Sequence, residues 1–166
     1  MQIYIVRHAL AELRENWEQP DEARPLTKKG RKKMARVARG LFNLQTKISH
    51  LYASPLVRAV QTAEILAERF KLKPAAQTEL LVPEASPELI LPFLNQHEED
   101  DALALVGHEP HVSALLAFLL TGETRAQVPF KKGGVALLEA SKPVRAGQCA
   151  LCWLMEPGQL AALGEK

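Results

Sequence analysis

The amino-acid sequence predicts an α/β layered domain from two observations: apolar runs of strand length alternate with segments of helical period, and helix-opening cap signals recur after the strands. Its size agrees. A chain of 166 residues with 47% hydrophobic and 24% charged side chains suits one compact domain over residues 1–166.

Residues 3–6 read as the first strand. Residues 27–44 carry Met34, Val37, Ala38, Leu41 and Leu44 at three- and four-residue steps, the apolar stripe of an amphipathic helix, with Thr27 as its N-cap. Residues 48–53 form a second strand. Ser54-Pro55 then supply an N-cap and a proline at the first helical position, predicting a helix to about residue 70. Residues 74–80 suggest a short strand, and Ser86-Pro87 repeat the cap signal for a helix to about residue 96. Residues 102–106 are continuously apolar, as in a buried parallel strand. Pro110 opens another helix that ends near Gly122. Residues 134–139 and 148–155 are two strands joined by a polar, proline-containing turn, a hairpin at the sheet edge, and residues 159–163 a short closing helix.

Composition limits the function classes. Lys+Arg 21 against Asp+Glu 19 leaves a formal charge of +2, so nucleic-acid binding has to be argued locally. No apolar run reaches the roughly 18 residues of a membrane span; the longest, residues 112–120, contains Ser113. The first residues enter an apolar strand without a basic stretch or a cleavage site, so the expectation is a soluble, cytoplasmic protein with no membrane partner. Cys149 and Cys152 have C-x-x-C spacing but sit in an apolar run of strand character, where residues three apart face opposite sides. They read as small buried hydrophobes rather than a redox or metal pair.

Ligands of open α/β sheets bind outside the carboxyl ends of the strands. The first strand runs into Arg7-His8, the second into Ser54-Pro55-Leu56-Val57-Arg58, and the fourth into Gly107-His108-Glu109-Pro110. Right-handed crossovers in one parallel sheet bring these ends to the same edge, so two arginines and two histidines converge. Guanidinium forks match phosphate oxygens and an imidazole serves as nucleophile or donor, which makes a phosphoryl group the natural guest. Arg58, a cation in a helix's first turn, opposes the macrodipole unless an anion is near, though Lys28 and Lys29 share that situation.

Val6-Arg7-His8, Pro25-Leu26-Thr27 with Gly30, Ser54 to Ala63 around Arg58 and Gln61-Thr62, and Val106-Gly107-His108 occur in this order over most of the chain. In this pattern the sequence resembles the histidine phosphatase superfamily (phosphoglycerate mutase-like), and within it the short SixA-type phosphohistidine phosphatases. The resemblance implies that His8 is the phosphorylated nucleophile and that Arg7, Arg58 and His108 form the phosphate pocket. It also implies a three-layer αβα sandwich with a mostly parallel sheet and an antiparallel edge hairpin, with no metal and no cofactor. Two positions depart from the pattern. Ala9 stands where the family has glycine after the nucleophile, and Glu109 where the SixA-like pattern usually has asparagine. Glu109 and Glu84 are both candidate proton donors, Glu84 lying in the region where other branches carry theirs, and the sequence leaves open which of them acts, if either.

The expected chemistry is in-line attack of a neutral His8 nitrogen on phosphorus, with Arg7, Arg58 and a protonated His108 holding the equatorial oxygens. Water then attacks the phosphohistidine intermediate. A metalloprotease reading fails because His108 and His111 are three apart and Pro110 breaks the helix. His111 is expected at the rim or in solvent, and His50 and His97 on the surface. Residues 23–63 contain no acidic residue, and the first helix carries Lys28, Lys29, Arg31, Lys32, Lys33, Arg36 and Arg39. Without an aromatic stacking pattern this basic face speaks for a solvated helix, or a guide for an acidic or phosphorylated protein, more than for nucleic acid. About fifty residues separate Arg58 from His108, leaving little room for a helical cap over the site. An open site favours phosphohistidine on a protein, with a small phosphomonoester as runner-up and a non-catalytic phosphate-binding module as a third reading.

Overall fold

The computed structural model describes residues 1–125 and 128–165. In chain order its elements are β1 (Gln2–Arg7), α1 (Lys28–Asn43), β2 (His50–Ala53), α2 (Val57–Phe70), β3 (Ala76–Gln77), α3 (Ile90–Leu94) and β4 (Ala102–Gly107), followed by α4 (His111–Thr121), β5 (Val135–Glu139), β6 (Ala150–Met155) and α5 (Pro157–Leu163). The six strands form one sheet in the order β3-β2-β4-β1-β5-β6. The first four are parallel to their neighbours, while β5 runs antiparallel to β1 and β6 antiparallel to β5. This is the expected α/β sandwich with an edge hairpin.

The period of two along each strand divides the core into two layers. Tyr4, Val6, Leu51, Ala104, Val106 and Leu137 face α1, α2 and α5, whereas Ile3, Ile5, Leu103, Leu105 and Leu138 face α3 and α4. Helix α4 is apolar nearly all round because it is covered on its outer side as well: Gly147 and Cys149 donate backbone hydrogen bonds to Phe118 and Leu119 carbonyls at 3.1 Å. Burial of each large side chain there, such as Leu115 or Phe118, contributes about 1.5–3 kcal/mol.

Close approach explains two glycines. A Cβ on Gly30 would lie 2.0 Å from the Leu10 carbonyl oxygen, and one on Gly40 would lie 1.8 Å from that of Leu160. They let α1 lie against both the loop after β1 and helix α5. Thr27 caps α1 as predicted, its hydroxyl accepting from the Gly30 N–H at 2.8 Å.

Strands β2 and β3 are shorter than expected, and three helix boundaries differ from the sequence reading, the first two through tertiary contacts and the third through a local cap. Helix α2 starts at Val57 because the sheet ladder extends past β2: the Ser54 N–H donates to the Val106 carbonyl at 3.0 Å, drawing the expected cap residue into the core. The 86–96 helix shrinks to a 3₁₀ turn (Pro87–Leu89) and the single turn of α3. There the Ser86 hydroxyl is taken by the Glu88 carboxylate, and Asn95 turns its amide to Leu91 and to Val144, 49 residues away. Helix α5 begins at Pro157, where Glu156 and Gln159 form a reciprocal capping box. Among the described residues no helix is long and apolar enough to cross a membrane.

Candidate active site

The site is built where the central strands end. Ala53, Val106 and Val6 stand in one row across β2, β4 and β1, and Arg7 pairs with Gly107 one step further. The residues that follow each strand therefore leave the sheet side by side. The His8 N–H donates to the Gly107 carbonyl at 2.9 Å. The rings of His8 and His108 lie 4.9 Å apart between centroids, inclined at 51°. Arg58 enters from the first turn of α2. All three are buried, with 6%, 2% and 4% exposure for His8, His108 and Arg58.

The tautomer of His8 follows from its neighbour. Its Nδ1 lies 2.7 Å from the Ala9 carbonyl, which can only accept, so Nδ1 carries the proton and Nε2 the lone pair. Burial pushes the imidazole's pKa down, the charges of Arg58, Arg7 and Lys132 add to this, and the Ala9 hydrogen bond opposes it, leaving a value of about 3. His8 is neutral at pH 7. Ala9 itself is held from α2, where Thr62 accepts the Ala9 N–H at 3.0 Å and donates to the Arg58 carbonyl at 2.7 Å. Positive φ outside glycine occurs at Gln45 and Lys71 among the described residues, so the backbone at Ala9 tolerates a side chain.

Arg58 is oriented by Asp21, on the 3₁₀ turn Asp21–Ala23. One guanidinium nitrogen donates to the Asp21 carbonyl at 2.8 Å and another to its carboxylate at 2.9 Å. Burial alone would raise the Asp21 pKa, but the hydrogen bond from Arg24 and the charges of Arg58, Arg24 and Arg14 outweigh it and lower it. Arg7 donates to the Phe130 carbonyl, and the turn at 130–134 is tied back by Gly133 N–H bonds to the Arg7 and His8 carbonyls at 3.1 Å. Of seven buried side-chain polar atoms without a partner among the described residues, four lie around His8: Nε of Arg7, Nε of Arg58 and both ring nitrogens of His108; the others are Nε of Arg69 and the ring nitrogens of His111. Leaving a buried polar group unpaired costs about 1–3 kcal/mol, so the two arginine Nε–H donors beside the His108 ring mark a place shaped for a polar guest that accepts hydrogen bonds from them.

Without a bound anion His108 is neutral, because burial, assisted by the neighbouring His8, Arg58 and His111, pushes its pKa down to about 2 against an opposing effect of Asp21. Three placements correct the sequence reading. His111 is 2% exposed rather than at the rim, since it opens the fully packed helix α4, and burial lowers its pKa as well. His97 is half-buried and part of an aromatic cluster, with Nε2 2.7 Å from the Tyr52 hydroxyl and Nδ1 3.0 Å from the Phe93 carbonyl. Both cysteines are free; Cys149 is buried as expected, and Cys152 is exposed on the edge strand.

The two carboxylates differ. Glu109 lies beside Arg7, where its charge favours the guanidinium, and one oxygen accepts from the Ser113 hydroxyl at 2.6 Å and the Phe130 N–H at 3.0 Å. Glu84 is exposed on the turn closed by the Ala85 N–H and the Val82 carbonyl. That segment borders the site, since the Leu81 carbonyl would lie 3.2 Å from a Cβ on Gly107. Among the described residues no group of three or more His, Cys, Asp or Glu side chains is gathered for a metal. Asp21, Thr62 and Lys132 are site residues that the sequence reading missed; Thr62 stood in a recognised motif without an assigned role.

The description "Histidine phosphatase superfamily (branch 1)" matches residues 3–81. An uncharacterized protein of Picosynechococcus sp. (PCC 7002) is 36% identical over 138 residues, 81% of this chain and 82% of that protein. The phosphohistidine phosphatase SixA of Escherichia coli K12 is 28% identical over 166 residues, 96% of either chain. A solved structure of the protein histidine phosphatase SixA with tungstate superposes with a TM-score of 0.85 at 26% identity, covering 96% of this chain and 99% of that one. Fold and relatives together define a metal-independent phosphatase built on an α/β sandwich. The chain belongs to the histidine phosphatase superfamily and is of the SixA type.

Proposed function

We propose that the protein, as a single domain over residues 1–166, removes the phosphoryl group from phosphohistidine on a protein through a covalent intermediate on His8. The observation that carries the reading is the Nδ1–H bond of His8 to the Ala9 carbonyl, which leaves Nε2 as a neutral nucleophile among unpartnered buried donors. Nε2 attacks phosphorus in line, a new P–N bond forms, and the P–N bond to the substrate imidazole breaks as that imidazole takes up a proton. Water then attacks phosphorus from the opposite side; the P–Nε2 bond breaks, its electron pair returns to His8, and inorganic phosphate leaves.

In this reading Arg7, Arg58 and His108 bind the transferring group. A phosphoryl dianion reverses the local field, raises the His108 pKa and makes that ring a charged donor only while the anion is bound. Glu109 and Glu84 are the candidate acids for substrates whose leaving group needs a proton. The similarity to SixA supports phosphohistidine as substrate, and the absence of a helical cap between α2 and β4 among the described residues supports a protein carrier.

Quenched turnover of a phosphohistidine protein should trap phosphate on His8 as an acid-labile, base-stable adduct, and His8→Ala should abolish both label and turnover. Retained turnover in that variant defeats the nucleophile assignment. A parallel panel of phosphoserine peptide and sugar phosphates separates the protein substrate from a small phosphomonoester.

A further inference from the structure

Beside the phosphoryl pocket lies a second concavity of about 430 Å³, walled by α1 and the 130–133 turn, and it shares Arg7 and Ala9 with the site. Half-buried Leu10, backed by the fully buried Met34 and Val37, makes its floor apolar, while Lys29, Lys33 and Lys132 make its lip cationic. No carboxylate lines it among the described residues. Lys131, on the same lip, is paired with Glu156 at 2.8 Å.

The positive field continues along α1. Lys28, Lys29, Arg31, Lys32 and Lys33 crowd the first six residues of the helix, at the end where its dipole is already positive, and the helix contains no acidic residue. Lys28 with Lys32 and Lys29 with Lys33 repel at i,i+4 spacing. All five are exposed, and none forms an ion pair among the described residues. A second groove over Lys32 carries the stripe toward α5, where Arg36 is answered by Glu165. From Lys28 to Arg39 it runs about 16 Å along the axis, longer than a small metabolite. A single phosphoryl group meets the buried arginines and histidines and leaves this field unanswered.

We propose that this face docks an acidic polypeptide segment flanking the phosphohistidine, with one apolar side chain of the segment seated against Leu10. The inference rests on the phosphoprotein reading above. Charge complementarity selects the acidic partner, and the apolar floor selects polypeptide, because a polynucleotide backbone offers no aliphatic group to fill it.

The test uses two peptides of about fifteen residues with the same central phosphohistidine, one flanked by Glu and Asp with a single Leu, the other with Gln at the acidic positions, alongside free phosphohistidine. The acidic peptide should show about tenfold higher kcat/KM at low salt, expressed in KM and fading as salt rises. The double variant Lys29→Glu with Lys33→Glu should erase that gain while free phosphohistidine turns over within about twofold of the parent. Lys28→Gln with Lys32→Gln, a milder change on the solvent face, should reduce it in the same direction. Equal kcat/KM for the two peptides overturns the docking surface, as does an equal loss on free phosphohistidine in both variants. An oligonucleotide that inhibits more strongly than the unphosphorylated acidic peptide also overturns it and reassigns the face to nucleic acid. The same peptides carrying phosphoserine separate the two readings: turnover of phosphoserine alone, with the acidic preference intact, removes phosphohistidine as substrate and keeps the docking surface.

Discussion

At the ends of β1, β2 and β4 the positive charge is buried and oriented by a few hydrogen bonds, whereas over the first turns of α1 it stands in water on long side chains without an ion-pair partner among the described residues. Two unit charges 4 Å apart interact by about 4 kcal/mol in a protein-like environment and about 1 kcal/mol in water. The buried set can therefore discriminate one geometry of the phosphoryl group, and its effects depend on fractions of an ångström. The exposed set acts over roughly a Debye length of 8–10 Å and tolerates variation in position. Catalysis and encounter are thus separable, and substitutions in one region should leave the other's readout in place.

The largest effect expected is at the nucleophile, where His8→Ala should reduce turnover at least about a thousandfold. Arg58→Lys follows, at about a hundredfold, because an ammonium reproduces neither the fork that grips Asp21 nor the buried, unpartnered Nε donor. Asp21→Asn keeps the backbone acceptor and should cost about tenfold, through misorientation of Arg58. Near-normal kcat/KM in both variants would mean that the buried set is not the phosphate site.

Acid sensitivity probes the same buried groups without substrate. The pKa values of His8 and His108 are pushed down to about 3 and about 2, below the ordinary imidazole value, so below about pH 6.5 the unfolded chain binds more protons than the folded one. Stability should fall as pH falls through that window, approaching about 1.4 kcal/mol per pH unit for each histidine well below 6.5. Melting curves between pH 7 and 5 should show a shallower decline for His108→Asn, and saturating inorganic phosphate should flatten the parent's curve. An unchanged slope in the variant would show that His108 is not held neutral.

The carboxylates offer a smaller effect that depends on the leaving group. An alkyl phosphate needs a positioned acid far more than nitrophenyl phosphate does, so Glu109→Gln and Glu84→Gln should separate on the first and converge on the second. A loss confined to Glu109→Gln assigns the donor there. Equal losses on both substrates would instead trace to the Phe130 N–H and Arg7, which Glu109 holds in place. The smallest effect is that of salt on free phosphohistidine, whose turnover should change little between 50 and 200 mM if α1 serves only larger partners.

The sequence made the strand ends legible because parallel topology and right-handed crossovers place Arg7, His8, Arg58 and His108 by rule. Asp21 and Thr62 escaped that logic. Asp21 lies in the aperiodic 10–27 loop, whose path is set by contacts with α2 rather than by any local pattern. Thr62 was visible in its motif, but its bond to the Ala9 N–H spans 53 residues. The same distance effect shortened the 86–96 helix, through Asn95 and Val144, and buried Ser54, through Val106. His111 was misread because its exposure depends on what covers α4, and neither the 79–84 segment nor the strap at 144–149 is adjacent to it in the chain.

The bond between His8 Nδ1 and the Ala9 carbonyl has a bearing on heredity. In a catalytic triad a carboxylate side chain fixes the histidine tautomer, and one mutation of that side chain can invert it. Here the acceptor is main chain, present whatever residue occupies position 9, so the tautomer is insulated from point mutation at its own partner. Drift at position 9 is then limited by volume and backbone conformation rather than by acid–base chemistry. Alanine in place of glycine is a change of the kind such a site can absorb without surrendering its nucleophile.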